Sequence, residues 1–173
     1  MKKTTLCFIF LIVMFGTVFA QESALDEGIR NWKTFPYSLG GGLESGLNTR
    51  ENFAMGFSAV IDRYLFGPHA AMGIKATMYS DFNTVTSSEA QLNFRLYIHE
   101  LWWGLFFTQF GFGAAFYTEE TRNINTYLMD FALGYRIYIQ KGFFRGFYVE
   151  PLMRFGYPFE WGFGLYAGHW FNF

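Results

Sequence analysis

Charged residues make up only 16% of the 173 residues of this chain. Nine of them are scattered among largely uncharged neighbours: Glu44, Asp62, Lys75, Glu89, Arg95, Asp130, Arg136, Glu150 and Arg154. An ion removed from water must be paired or hydrated. The chemistry this set offers is therefore ion pairing between five acids and four bases. Catalysis has less support. His69, His99 and His169 lack the serine and acid partners of a nucleophilic triad. No His, Cys and carboxylate cluster has metal-ligand spacing, and there is no phosphate loop. Neither a catalytic residue, a metal nor a cofactor is expected.

The elements that must position these charges have a period of two from Pro36 onwards. Eight strands are predicted, over Tyr37 to Leu47, Phe53 to about Arg63, Ala70 to Tyr79, Glu89 to Ile98, Leu105 to Tyr117, Tyr127 to Ile139, Phe147 to Tyr157 and Trp161 to Phe173. One face of each is apolar and bulky, as in Ala90, Leu92, Phe94, Leu96 and Ile98. The other carries small and polar residues together with all nine charges. Polar loops are expected at 80–88 and 118–125, and Pro151 predicts a local bulge because it lacks an N–H for the ladder.

Parity also suggests who meets whom. The turn near Lys141 to Arg145 pairs its flanking strands so that residue numbers sum to about 284 to 286. The lower value sets Asp130 opposite Arg154; the higher sets Arg136 opposite Glu150. With Lys75 reaching from a strand across the barrel towards Glu150, and Arg95 beside it, the expected lumen network is Lys75, Arg95, Asp130, Arg136, Glu150 and Arg154. It serves as a structural plug or, in a sharper reading, as a gate or polar path. Gly40, Gly42 and Gly46 on the first strand adjoin Gly162, Gly164 and Gly168 on the last, giving one nearly bare wall. Such a wall makes room for Tyr and Arg from the facing side, or forms a slot for an acyl chain.

The N-terminus belongs to a different regime. Lys2 and Lys3, the apolar run Leu6 to Phe15 and Val18-Phe19-Ala20 before Gln21 read as a secretory signal peptide over 1–20, cleaved after about Ala20. Its loss takes 13 basic against 14 acidic residues to 11 against 14, and it removes Cys7, the single cysteine. The mature chain then forms no disulfide, and no basic surplus points to nucleic acid. Residues 21–34 are a leader in which Leu25, Ile29 and Trp32 share one helical face, as in a short amphipathic helix. The barrel domain is 35–173.

Bulk decides which face is wet. Phe, Leu, Met, Tyr and Ile fill the apolar face too completely for the lumen of eight strands, so that face lies outside, in lipid. Closure is then obligatory, because open edges do not persist in hydrocarbon. The ending Trp170-Phe171-Asn172-Phe173 resembles the closing strand of bacterial outer-membrane barrels. Over residues ~35 to 173 the chain resembles the small OmpA/OmpX-like and OmpW-like barrels. The resemblance implies an all-β, eight-stranded antiparallel up-and-down transmembrane β-barrel in the outer membrane of a Gram-negative-type envelope. It also implies an assembly signal at Phe171 and Phe173 read by the assembly machinery, and a periplasmic C-terminus. Trp102, Trp103, Phe143, Phe144, Trp170 and Phe171 then form a periplasmic aromatic girdle.

The family's members are membrane anchors, adhesins, porin-like channels, carriers of hydrophobic ligands and a few lipid-modifying enzymes. Short outer loops weigh against an adhesin, and the missing triad weighs against an enzyme. The expectation is a monomeric structural or interaction protein with outer-membrane lipid around it and a largely plugged lumen. The alternative is a small-solute channel or a carrier of a small-molecule or lipid ligand.

Overall fold

Alternation of side chains governs this molecule from one end of the chain to the other. The computed structural model describes residues 36–48, 53–65, 69–82, 85–101, 104–119, 122–139 and 143–171. The expected signal peptide 1–20, the leader 21–34, Trp102, Trp103 and Phe173 lie outside the described residues. The strands are β1 (Tyr37–Asn48), β2 (Phe53–Tyr64), β3 (Ala70–Ser80), β4 (Val85–Leu101), β5 (Gly104–Glu119), β6 (Arg122–Tyr138), β7 (Phe147–Tyr157) and β8 (Phe159–Phe171). Each pairs antiparallel with the next, and β8 returns to β1 to close the barrel. Short connections permit only this neighbour-to-neighbour order.

Within the apolar band the usual pattern of an apolar core face and a polar outer face is reversed. Along β2, exposed and buried residues alternate without a break. The exposed set is apolar: Phe57 is 75% exposed, Met78 68% and Phe112 64%. A continuous apolar exterior of this size would be unstable in water and fits the hydrocarbon of a bilayer. The buried set contains the charges.

Two strands, β4 and β6, begin four or more residues before their predicted bounds. Val85 to Ser88, expected as loop, pairs with both neighbours through Thr86↔Ser80 and Thr86↔Thr118. Arg122 to Asn125, also expected as loop, pairs with β5 up to Glu119↔Arg122. Polar side chains misled the prediction there: Thr, Ser and Asn outside the apolar band still complete a backbone ladder. On its other side β6 meets β7 only from Met129↔Tyr157 onwards. Among the described residues, 122–128 therefore carry a ladder on one edge only.

Pro151 makes no bulge. The β6–β7 register keeps one sum on both sides of it, from Met129↔Tyr157 to Tyr138↔Tyr148, with the ladder interrupted between Gly134↔Leu152 and Ile137↔Val149. On β8 it pairs regularly with Leu165. The missing N–H costs pairing locally while the two flanking ladders hold the register. Irregularities fall instead between Leu47 and Asn48 and between Tyr97 and His99.

Candidate functional site: the ionic lumen

Inward parity brings the nine charges into two tiers. The outer tier is organised by Glu44 of β1, whose carboxylate accepts hydrogen bonds from Lys75 Nζ at 2.6 Å, Arg154 Nη1 at 2.9 Å, and the hydroxyls of Tyr79 and Tyr166. Arg154 Nη1 also donates to Glu89 Oε2 at 3.1 Å and to the Tyr79 hydroxyl at 2.5 Å. Its Nη2 lies 3.1 Å from Asp130 Oδ2. Gln91 Nε2 donates to Asp130 at 3.3 Å and to Asn93 Oδ1 at 2.5 Å. Two cations thus serve three carboxylates, with amides and phenols supplying the remaining donors.

The inner tier, nearer the chain termini, balances two against two. Arg95 Nη1 lies 2.9 Å from Asp62 Oδ2 and 3.0 Å from Glu150 Oε1, and its Nε donates to Gln109 Oε1 at 2.7 Å. Arg136 Nε donates to Glu150 Oε2 at 2.6 Å and Nη1 to the Tyr64 hydroxyl at 2.9 Å. Its Nη2 is 3.4 Å from Asp62. The Arg136 guanidinium also stacks 4.1 Å from the Tyr148 ring centroid and 5.3 Å from that of Tyr97. Desolvation of each ion is offset by several close partners at once, which is what a buried charge requires.

Aromatic rings close the terminal side of this tier. Trp170 packs against Tyr138 with centroids 4.7 Å apart and against Tyr64 at 6.0 Å, while Tyr97 lies 5.8 Å from Tyr64 and 5.7 Å from Phe107. Trp170 is only 3% exposed. It is therefore a lumen residue and not part of a girdle, as its even position in β8 requires. Phe143, Phe144 and His169 are exposed at the same end, His169 with its ring 4.7 Å from that of Phe147.

The six charges expected to form one network divide between the two tiers, Lys75, Asp130 and Arg154 in one and Arg95, Arg136 and Glu150 in the other, with different pairings. The β6–β7 register takes the higher of the two sums, so Arg136 meets Glu150 and Asp130 meets Arg154 diagonally, opposite Gly156. Lys75 is held by Glu44 and not by Glu150. The network expected from the sequence omitted Glu44, Asp62 and Glu89, although their inward parity was legible. What was missing was height: the pairing of β1 with β2 and of β2 with β3 brings Glu44 and Tyr79 level through Gly56.

The glycine wall is filled, and not from across the barrel. A Cβ on Gly40 would lie 2.6 Å from the Tyr148 hydroxyl, and one on Gly168 2.3 Å from the same ring. Tyr166 occupies the space beside Gly42 and Gly164, and the Arg154 side chain approaches Gly162. Gly46, opposite Gly162, continues the row away from the chain termini. The bulky groups come from β8 itself and from adjacent β7, so the slot for an acyl chain is taken by protein.

His69 is exposed in the β2–β3 turn, and His169 faces outward. Among the described residues no group of three His, Cys, Asp or Glu is set to hold a metal ion. The arrangement does one thing chemically: it neutralises charge across a narrow lumen.

The fold is a closed eight-stranded antiparallel barrel with an apolar exterior and an ionic core, and a solved β-barrel domain resembles it in fold. No family model matches the chain, and no curated protein matches it in sequence. The N-terminal β-barrel domain of Pseudomonas aeruginosa OprF superposes with a TM-score of 0.52 at 14% identity, over 79% of this chain and 98% of that one. Ail, the attachment invasion locus protein of Yersinia pestis, gives a TM-score of 0.46 at 12% identity, over 80% and 99%. The chain has the fold of the small OmpA/OmpX-like outer-membrane barrels.

Proposed function

We propose that this protein is an integral outer-membrane barrel with a closed lumen, serving as a structural or interaction protein through its outer surface. The observation that carries the reading is the ionic core. All nine inward charges are buried, and each takes part in at least one ion pair. A lumen so filled leaves the outside as the working surface. The signal peptide ending at Ala20 would export the chain, and Phe171 and Phe173 would present it to the assembly machinery. The β5–β6 hairpin supports an interaction role, because residues 122–128 offer an unpaired strand edge beyond the end of β7.

Single-channel recording of refolded protein in a planar bilayer tests closure. Silence is expected from protein whose unboiled sample migrates differently from a boiled one on a gel. Steady unitary steps from the unmodified protein would defeat the reading. They would favour a second one, a small-solute channel gated at Arg154, for which the motivating observation is that one guanidinium is shared by Glu44, Glu89 and Asp130. Steps that change size on Arg154→Ala would establish it.

A further inference from the structure

We propose that the outward groove across the terminal ends of β1, β2 and β3 holds one anionic diacyl phospholipid, its acyl chain in the groove and its phosphate on Arg63. The proposal rests on the membrane-barrel reading above.

Arg63 is the anomaly that points there. Glu160 beside the outer hairpin apart, it is the sole Lys, Arg, Asp or Glu among the outward-facing strand residues whose side chains are described. The outward face of its own strand is otherwise Phe53, Met55, Phe57, Ala59 and Ile61. A lone cation on a lipid-facing wall is costly unless it sits at the boundary and finds an anion. Its height is right: Arg63 pairs with Tyr37, the first residue of β1, and with Met72 near the start of β3. Among the described residues its guanidinium lies over the Tyr37 ring, 5.6 Å from Cζ to centroid. Among the described residues no carboxylate forms an ion pair with it.

Beside it lies a groove of ≈ 260 Å³ lined by Tyr37, Ile61, Arg63, Met72, Ile74 and Leu92. Asp62 and Gly73 complete the lining, but the Asp62 carboxylate is turned into the lumen, where Arg95 and Arg136 hold it, so every outward side chain in the lining except the guanidinium has an apolar body. The shape of the site is therefore apolar along its length and cationic at one end, complementary to an acyl chain ending in a phosphate. A guanidinium presents paired N–H donors that match phosphate oxygens, and its stem lies along apolar surface while its head reaches the interface. Negative lipid headgroups lie at that depth, within reach of the guanidinium.

The test is native mass spectrometry of the refolded protein in neutral detergent, titrated with phosphatidylglycerol. One lipid is expected to remain bound at low ratio. Arg63→Gln is expected to weaken retention about tenfold, the worth of one charge-assisted hydrogen bond. Ile74→Trp, which fills the groove and keeps the charge, is expected to weaken it as well. Met129→Leu, exposed on β6 and away from the lining, is expected to change nothing. Diacylglycerol, lacking the phosphate, is expected to bind more weakly, and inorganic phosphate should not displace the lipid. Equal retention by wild type, Arg63→Gln and Ile74→Trp would overturn the site, as would equal binding of diacylglycerol. Displacement by inorganic phosphate would also overturn it and indicate a simple anion site. Gel mobility separates the two layers of inference. Wild type that shows no difference between boiled and unboiled samples defeats the barrel reading, whereas a folded wild type that keeps no lipid defeats only this site.

Discussion

Three carboxylates and a phenol converge on the guanidinium of Arg154, and each is buried. Removing that one cation leaves Glu44 with Lys75 as its one cationic partner beside two phenols, and strips Glu89 of its ion pair with Arg154. Arg154→Ala is therefore expected to destabilise the barrel by ~3–5 kcal/mol, the usual cost of orphaning a buried charge. Urea unfolding in lipid or detergent would measure it, and an unchanged midpoint would mean that the outer tier is hydrated. Glycines give a second expectation at this scale. A Cβ on Gly168 meets the Tyr148 ring at 2.3 Å and the Leu39 carbonyl oxygen at 2.5 Å, whereas on Gly40 the one close atom is the Tyr148 hydroxyl at 2.6 Å. Side chains move more cheaply than backbone. Gly168→Ala should cost ~1–3 kcal/mol, as overpacking does, and more than Gly40→Ala in the same unfolding assay. Adding Tyr148→Phe should relieve part of the Gly40→Ala penalty, measurable as a coupling in the double-mutant cycle.

Strands here have two faces with opposite rules, and substitutions should obey the face. Phe112 of β5 is 64% exposed and lies between Gly111 and Gly113. Phe112→Arg should cost ~2–4 kcal/mol if that position lies at the middle of the bilayer, and less if it lies near a boundary, so its unfolding free energy also measures depth. The open edge of β6 makes a different demand. Asn125 is exposed on the hairpin beyond Met129↔Tyr157. Asn125→Lys should leave stability within ~0.5 kcal/mol, as surface changes do. It should also impair docking of an added strand, since charge on an edge discourages pairing. Equal capture of a strand-forming peptide by variant and parent would remove the edge from consideration.

For the molecule as a whole, alternation and bulk were enough to predict the barrel. Parity is local: whether Lys75 or Ile74 faces the lumen depends only on counting in twos, so all nine inward charges and the six glycines were legible. Closure followed from the lack of any polar outer face. Strand ends were less legible, since Thr86 to Ser88 and Arg122 to Asn125 look like loop by composition and yet complete ladders. Pairings were least legible. Which charge meets which depends on the relative heights of strands, and those are set by turns and by the stagger with which eight strands close on themselves. That stagger seats Lys75 on Glu44 instead of Glu150 and makes Glu44 the centre of the outer tier. It also fills the glycine wall with Tyr148 and Tyr166. The face each residue takes follows from the two-residue period of an extended backbone, and the number of strands from the polar and turn-forming segments that interrupt it, so both could be read from the chain alone. The partners came only with the folded barrel, because ion pairing needs contact within a few ångströms and a one-residue change of register moves each strand by about 3.3 Å.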